Sequence, residues 1–327
     1  MRYAFVVGVM VFVLGAVGCS CGDDDSGGAN GGNGHGDGGG LDGSSDGAGK
    51  NEGGSNGYTA PQYAELWYSV DDLLVHIQLD AADGSFVGTH VSHVATATGN
   101  LPVGQNAITM RQDGGLVGAR LSQADMKTYF YYIAEPPRDG SDVTATDLGV
   151  MPGDIMLEGL YTDCDGRLYG MDTGENNSSA VGNRLLRFTG NYLAGDFAFV
   201  VVSDLATADV ADIDDMSPGI SNNEITDNPG LAIDTGDVYR FNYETGSGTP
   251  AGNGGTFGIH ALGADLFTDK KARLYVLTSG AGLHEMNPTT FMVSPTIGTG
   301  PTPDHGMAGW SGLAGPLTDC ESGFTLL

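Results

Sequence analysis

One strand-turn-strand unit recurs along this chain at a nearly constant step, and no other feature limits the fold so tightly. The clearest copy reads Leu157-Glu158-Gly159-Leu160-Tyr161-Thr162, the turn Asp163-Cys164-Asp165-Gly166, then Arg167-Leu168-Tyr169-Gly170, with Arg184 to Phe188 as a third strand. A second copy runs from Asn106 to Met110, through Asp113-Gly114-Gly115 to Leu116-Val117-Gly118, and on to Tyr129 to Ile133. A third begins at His260-Ala261-Leu262, continues at Arg273 to Val276 and reaches Leu283 to Pro288. A degraded copy starts at Asp214-Asp215-Met216 and resumes at Asp237 to Phe241 after a long polar insertion. The first-strand positions 106, 158, 214 and 260 are separated by 52, 56 and 46 residues. Short β-branched or aromatic runs between Gly and Asp turns specify strands, and a repeat of this length holds four of them, which is one propeller blade.

The two ends have complementary defects. Trp310-Ser311-Gly312-Leu313-Ala314 reads as a first strand, with Ser311 one step of 51 after His260, but nothing follows to complete a blade. Glu65 to Val70, Leu74 to Leu79 and Phe86 to Val94 read as second, third and fourth strands that lack a first. One blade assembled from both ends closes the ring and removes two sheet edges. The expected fold is therefore all-β, a five-bladed β-propeller over residues 58–327. Six blades result if the insertion in the fourth unit hides extra strands.

The N-terminal segment has another character. Residues 1–18 carry Arg2, an apolar run from Tyr3 to Val17 and Gly18, the order of a secretory signal, and the run is short for a membrane span. Residues 19–57 form a tether: Ser20 to Gly57 holds 16 Gly in 38 residues, interleaved with Asp, Asn and Ser. A Gly-rich coil of that length spans roughly 35 Å. Lys and Arg number 13 against 41 Asp and Glu, a formal charge of −28, which excludes the electrostatic footprint of a nucleic-acid partner. The sole long apolar run is N-terminal, so the chain does not read as a polytopic membrane protein.

Ala16-Val17-Gly18-Cys19 resembles the lipobox of bacterial lipoproteins, with Ala where Leu is usual. The resemblance implies cleavage before Cys19, lipidation of its thiol, a lipid anchor in the membrane and, with Ser20 next, the outer membrane of a Gram-negative cell envelope. An ordinary signal peptide with an incidental Cys is the alternative. The blade patterns Glu158-Gly159-Leu160 and Asp165-Gly166-Arg167-Leu168-Tyr169 resemble those of the bacterial NHL, SMP-30 and YVTN-like propellers. That likeness implies an architecture over most of residues 62–317, whereas propellers host many unrelated activities.

Superposing the units stacks Asn106, Glu158, Asp214, His260 and Ser311 at the opening of five first strands, where a propeller lines its axial channel. An exported propeller binding a small-molecule, glycan or protein ligand at this mouth, without turning it over, is the leading reading. SMP-30-like lactonases hold a metal with a similar Glu, Asn and Asp set, which implies a second reading. In it Asn106, Glu158 and Asp214 hold a divalent cation such as calcium, and a metal-dependent hydrolase or lactonase uses Glu158 or Asp214 as base and His260 for proton transfer. A water-filled polar channel without an ion, and a purely structural envelope protein, are the bland alternatives. The loop Asp172 to Ser179 should share the mouth, and the insertion Ser217 to Gly230 should emerge on the opposite face.

Cys164 and Cys320 each follow a first strand and are either a disulfide or two buried thiols, while Cys21 lies in the tether. The sequence has no phosphate loop or His-Glu-x-x-His, and its Gly-x-Ser-x-Gly strings, Gly43 to Gly47 and Gly53 to Gly57, lie in the Gly-rich tether and not on a strand-to-helix turn. His90 and His93, three apart on a strand, face opposite sides and cannot chelate together. Tyr129 to Tyr132 should fill space between blades.

Overall fold

A computed structural model describes residues 64–316, with breaks at 98, 101–105, 123–124, 126, 154, 173–183, 205–212, 222–223, 256–258, 267–270 and 303–309. All lie in the compact unit Gly54–Leu327. The described residues contain no α-helix, only one turn of 3-10 helix at Tyr192–Ala194.

Twenty-one strands form five antiparallel blades. The first blade joins β1 (Ala64–Val70), β2 (Leu73–Leu79) and β3 (Phe86–Thr96) to β21 (Trp310–Ala314), and β4 (Gly99–Asn100) caps the end of β3. The second comprises β5 (Asn106–Met110), β6 (Leu116–Ser122), β7 (Lys127–Ile133) and β8 (Val143–Val150). The third is β9 (Leu157–Thr162), β10 (Leu168–Asp172), β11 (Arg184–Phe188) and β12 (Phe199–Asp204). The fourth is β13 (Asp215–Ser221), β14 (Glu224–Asp234), β15 (Asp237–Asn242) and β16 (Ser247–Asn253). The fifth is β17 (Ile259–Leu266), β18 (Ala272–Thr278), β19 (Gly282–Met286) and β20 (Gly298–Thr299). The first-strand positions read from the repeat therefore fall at or next to the starts of β5, β9, β13, β17 and β21. The count is five blades, and the polar insertion proves to be an extended β13-β14 hairpin. In the fourth unit the run resuming at Asp237 is the third strand, because the second lies inside that insertion.

The ring closes as the two ends require. On β21, Ala314 pairs with Trp67, Leu313 with Tyr68 and Trp310 with Val70 on β1, in antiparallel register. Packing confirms closure independently. Five apolar clusters occupy five seams: Trp67 with Ile108 and Tyr131 between blades one and two, Phe130 with Leu160 and Phe188 between two and three, and Tyr161 with Met216 and Tyr243 between three and four. Leu231 with Leu274 and Met286 fills the seam of four and five, and Leu66 with Tyr275 and Leu313 fills that of five and one. Blades stacked face to face bury both sides of their second strands. The segments Ala64–Val70 and Leu116–Ser122 are accordingly buried at every position, so the period-2 signal of a half-solvated sheet is absent there. Outer strands are far more open: β8 buries only Ala145 and Leu148, and β16 is exposed or half-buried throughout. Of the tyrosine run, Phe130 and Tyr131 enter seams, whereas Tyr129 and Tyr132 are half-buried and bond Asp125 and Asp113.

Glycine lets the inner strands approach closely. A Cβ on Gly263 would stand 2.6 Å from the Leu313 carbonyl oxygen, and one on Gly315 would stand 2.1 Å from that of Ala264. Gly263→Val should therefore lower unfolding free energy by about 1–3 kcal/mol, as overpacking does, in a urea titration. Gly88→Ala, whose Cβ meets nothing within 4 Å, should stay within about 0.5 kcal/mol of the parent.

Candidate functional site

Antiparallel registers define one face. Asn106 opposes Arg120 at the end of β6, Leu157 opposes Asp172 at the end of β10, Asp215 opposes Ile233 near the end of β14, Ile259 opposes Thr278, and Trp310 opposes Val70. All five inner strands thus begin at the same end of the ring, and Glu158, Asp214, His260, Ser311 and Asn106 share it.

Three of these positions are β-bulges, an irregularity that re-aims a side chain. Met171 pairs with Gly159 and Asp172 with Leu157, which leaves Glu158 as the extra residue of β9. His260 is the extra residue of β17, between Ile259 opposite Thr278 and Ala261 opposite Leu277. On β21, Ser311 and Gly312 together oppose the single residue Ser69. Only the backbone of Asn106, His260 and Ser311 is described; their side chains lie outside the described residues. Glu158 is half-buried, with Oε2 closed off from solvent.

Asp214 and Asp215 divide the roles expected of one residue. Asp214 precedes β13, and its Oδ2 accepts the Thr235 N–H at 2.7 Å in the β14-β15 turn. Asp215 is buried and points across the axis, where Oδ2 accepts the Leu313 N–H of β21 at 3.1 Å while Oδ1 accepts the Met216 N–H at 2.9 Å. Sequence superposition could not separate two adjacent carboxylates, because the strand start differs by one residue between units. Further polar groups at this end are spoken for: buried Asp172 accepts Arg184 Nε at 3.0 Å, and Arg120, wholly buried, donates to Ser69 Oγ at 3.3 Å. Burial disfavours the Arg120 charge, and Tyr131, Asp71 and Asp72 counter that effect.

Below the mouth the axis is plugged. A cavity of about 30 Å³ remains at the hub, lined by residues of all five inner strands including Thr109, Leu160, Ser217, Ala264 and Leu313. That is room for about one water molecule. The Thr162 N–H donates to Thr109 Oγ1 at 3.0 Å, and the two threonine hydroxyls lie 3.2 Å apart, bridging neighbouring inner strands. Among the described residues the hub is packed around this small cavity.

A cation held by Asn106, Glu158 and Asp214 would need their oxygens to converge. Among the described residues no three His, Cys, Asp or Glu side chains gather as a metal centre needs, and Asp214 already gives one oxygen to Thr235. The Asn106 side chain, the third member of the expected set, lies outside the described residues.

At the opposite end, the β13-β14 hairpin reaches the third blade: Asp227 accepts the Tyr161 hydroxyl and the Cys164 N–H, the latter at 2.9 Å. Burial, with Asp163 and Asp165 nearby, raises the Asp227 carboxyl above its ordinary value against the pull of those hydrogen bonds. The Asp163-Gly166 segment is a hairpin turn, with the Gly166 N–H on Asp163 O at 2.9 Å. Cys164 is disulfide-bonded; Cys320, Cys21 and Cys19 lie outside the described residues.

A second polar array was not anticipated from the sequence. Trp67, His76 and His90 stand directly opposite one another on β1, β2 and β3. Buried Glu65, two residues before Trp67, takes a bidentate pair from Arg138 of the β7-β8 loop at 2.7 Å per bond, and His76 Nε2 lies 3.0 Å from its Oε2. His93, facing the other way, sits 3.6 Å from Asp72. The expectation that His90 and His93 diverge holds. Asking only about partners within one strand hid the cross-strand partner of His90, which depends on hairpin register.

No family model matches the chain, and none of the curated proteins does. Among solved structures, a GH43 protein of Bacillus licheniformis is similar at 10% identity and a TM-score of 0.40, over 76% of this chain and 59% of that one. A bifunctional GH43-CE protein of Bacteroides eggerthii gives 13% and 0.37 over 74% and 36%. The extracellular domain of a one-component system of B. thetaiotaomicron gives 12% and 0.35 over 71% and 26%. This chain spans less than two thirds of each. Likenesses so remote leave the propeller to its own strand order and seams, and the ligand to its own residues.

Burial alone would raise the Glu65 carboxyl, but hydrogen bonds from His76 and Arg138 outweigh it and hold the group below its ordinary 4.5. The pairing therefore contributes stability that is present above that value and is lost as pH falls through the lower folded-state one. Glu65→Gln should cost somewhat less than the about 3–5 kcal/mol of a broken buried pair at neutral pH, since the Arg138 side chain is 39% exposed. The gap between parent and variant melting temperatures should close as the solution is acidified below pH 4.5; a constant gap counts against the assignment.

Proposed function

We propose that this chain is an exported, lipid-anchored propeller that binds a small-molecule, glycan or protein ligand at the mouth face, without turning it over. The supporting observation is the pairing of a polar mouth with a plugged hub. Five inner strands open on one face, three of them bulged, with Glu158 and Asp214 beside the axis. Below them the axis narrows to space for about one water, so a ligand at the axis stops at the face and gains its contacts there. The surrounding charge favours cationic or hydroxyl-rich groups over anions, given a chain charge of −28.

Export is supported by the signal-like residues 1–18 and by the disulfide at Cys164, which belongs to oxidising compartments. Cys320 is the partner proposed for Cys164, and Cys19 the lipidated residue. The anchor, the tether and the propeller then form one device that holds a binding face away from the outer membrane. The likeness to NHL, SMP-30 and YVTN-like propellers remains part of this reading and assigns no activity.

A glycan array probed with the full-length protein, followed by titration of its best ligand, tests this reading. Glu158→Gln and Asp214→Asn should each weaken binding by about tenfold, the loss of one good charge-assisted hydrogen bond, with an unchanged melting temperature for Glu158→Gln. Binding that ignores both variants refutes the mouth as the site. Metal analysis of the same preparations decides the hydrolase alternative: a stoichiometric ion lost in both variants would replace the binding reading with a metal centre.

A further inference from the structure

Five outer strands rim the ring, and four of them are blunted against further pairing. Strands β3 and β8 cover each other in parallel over residues 94–96 and 143–145, β16 contains Pro250, and β20 has only two residues. Strand β12 is the exception. Residues 199–203 carry neither charge nor proline, the strand pairs with β11 alone among the described residues, and Val200 and Val201 are 41% and 47% exposed. The Ala198 carbonyl oxygen accepts the Thr189 N–H at 2.8 Å, so pleat alternation turns the N–H and C=O of Phe199 outward. The one extra residue of β12 lies between Val201, opposite Leu186, and Ser203, opposite Leu185, which leaves the edge regular up to Val201.

A groove of about 570 Å³ lies beside this edge, lined by Val150 and Pro152 of the second blade and by Asp196, Phe197 and Phe199 of the third. Phe199 and Val201 face that side, because their partners Phe188 and Leu186 pack into the seam with the second blade. Charge decides what can lie there. At the start of the edge Asp196 is exposed, one of its oxygens accepting the Ala198 N–H at 3.1 Å. At the far end Ser203 Oγ donates to the Gly246 carbonyl oxygen at 3.0 Å, in the β15-β16 turn that carries exposed Glu244. The nearest cation, Arg187, stands between Val200 and Tyr169 on the other face of the blade. A two-fold antiparallel pair of β12 strands would set Asp196 of each copy against Glu244 of the other, on chains that each carry −28. A foreign strand with a cation at either end meets opposite charges instead.

We propose that β12 takes an extended segment of a partner protein as a fifth strand of the third blade, with β-branched or aromatic residues at its centre and Lys or Arg at each end. Main-chain hydrogen bonds to the outward groups hold the segment, alternate side chains enter the groove beside Phe199, and the two carboxylates select its ends. Residues 198–203 span about 17 Å at strand rise, so the segment needs six residues from cation to cation. This edge lies on the outer rim and is independent of the mouth.

An array of hexapeptides with Val, Ile, Thr or Tyr at the central positions and either Lys or Glu at both ends, probed with the full-length protein, tests this. The tightest Lys-ended peptide is then titrated in solution. Lys-ended peptides should bind about tenfold more tightly than their Glu-ended counterparts, since two ion pairs replace two like-charge contacts. Methylating the central amide nitrogens should abolish binding. Asp196→Asn and Glu244→Gln should each weaken it roughly two- to fivefold, the range of one exposed ion pair. Val201→Lys puts a charge on the edge itself and should abolish binding with an unchanged melting temperature; if that temperature falls, the two carboxylate variants decide alone. Glu158→Gln should leave peptide binding intact, which separates this edge from the mouth. The proposal is overturned by the lack of any Lys-ended binder, by equal binding of both peptide sets, or by binding that survives Val201→Lys. Self-association of the parent that Val201→Lys disperses would overturn it too, by giving the edge to a second copy.

Discussion

The architecture depends on a short antiparallel ladder between the last described strand and the first. Strand β21 supplies the inner edge that β1 lacks, and the buried carboxylate of Asp215 accepts the Leu313 N–H from across the hub. That contact joins the fourth blade to the closing strand by a charge-assisted bond, a stronger class than a neutral backbone pair. A Cβ on Gly312 would sit 2.5 Å from the same carboxylate, so glycine is what lets the carboxylate approach. Once the ladder is formed, each blade has a neighbour on both faces, and the five apolar clusters become one continuous circuit of seams.

Function has to use what this packing leaves over. Interior positions of the inner strands line the hub, where β13 alone among the described inner strands shifts register, between Ser217 and Gly219. The bulges at Glu158, at His260 and at Ser311-Gly312 fall at the strand openings, at matching levels of three blades. Two kinds of carboxylate result: Asp215 and Asp172 serve the scaffold, bonded to backbone amides and to Arg184, whereas Glu158 stands at a point where the ladder is interrupted.

Blade number, blade boundaries and ring closure were legible in the chain, because turn-delimited strands recur and because Trp310 to Ala314 and Glu65 to Val70 each lack what the other has. The starts of the inner strands followed from the same superposition, to within one residue. Two things were not legible. The insertion after Ser217 carries strand residues with polar and Pro interruptions, so Glu224 to Asp234 does not look like the second strand it is, buried only from Gly230 to Ile233. The Glu65-His76-His90-Arg138 array requires two registers and a loop from another blade to be known together. Its residues lie 11, 14 and 73 positions from their partners, and no local pattern connects them.

Closure by β21 also sets an order of events. Trp67 and Ala314 are neighbours in the sheet but stand at opposite extremes of the propeller, so β1 emerges long before its inner partner exists. During synthesis its hydrogen-bonding edge stays uncovered, and native-like completion must wait for the final strand, a topology whose distant pairings fold slowly.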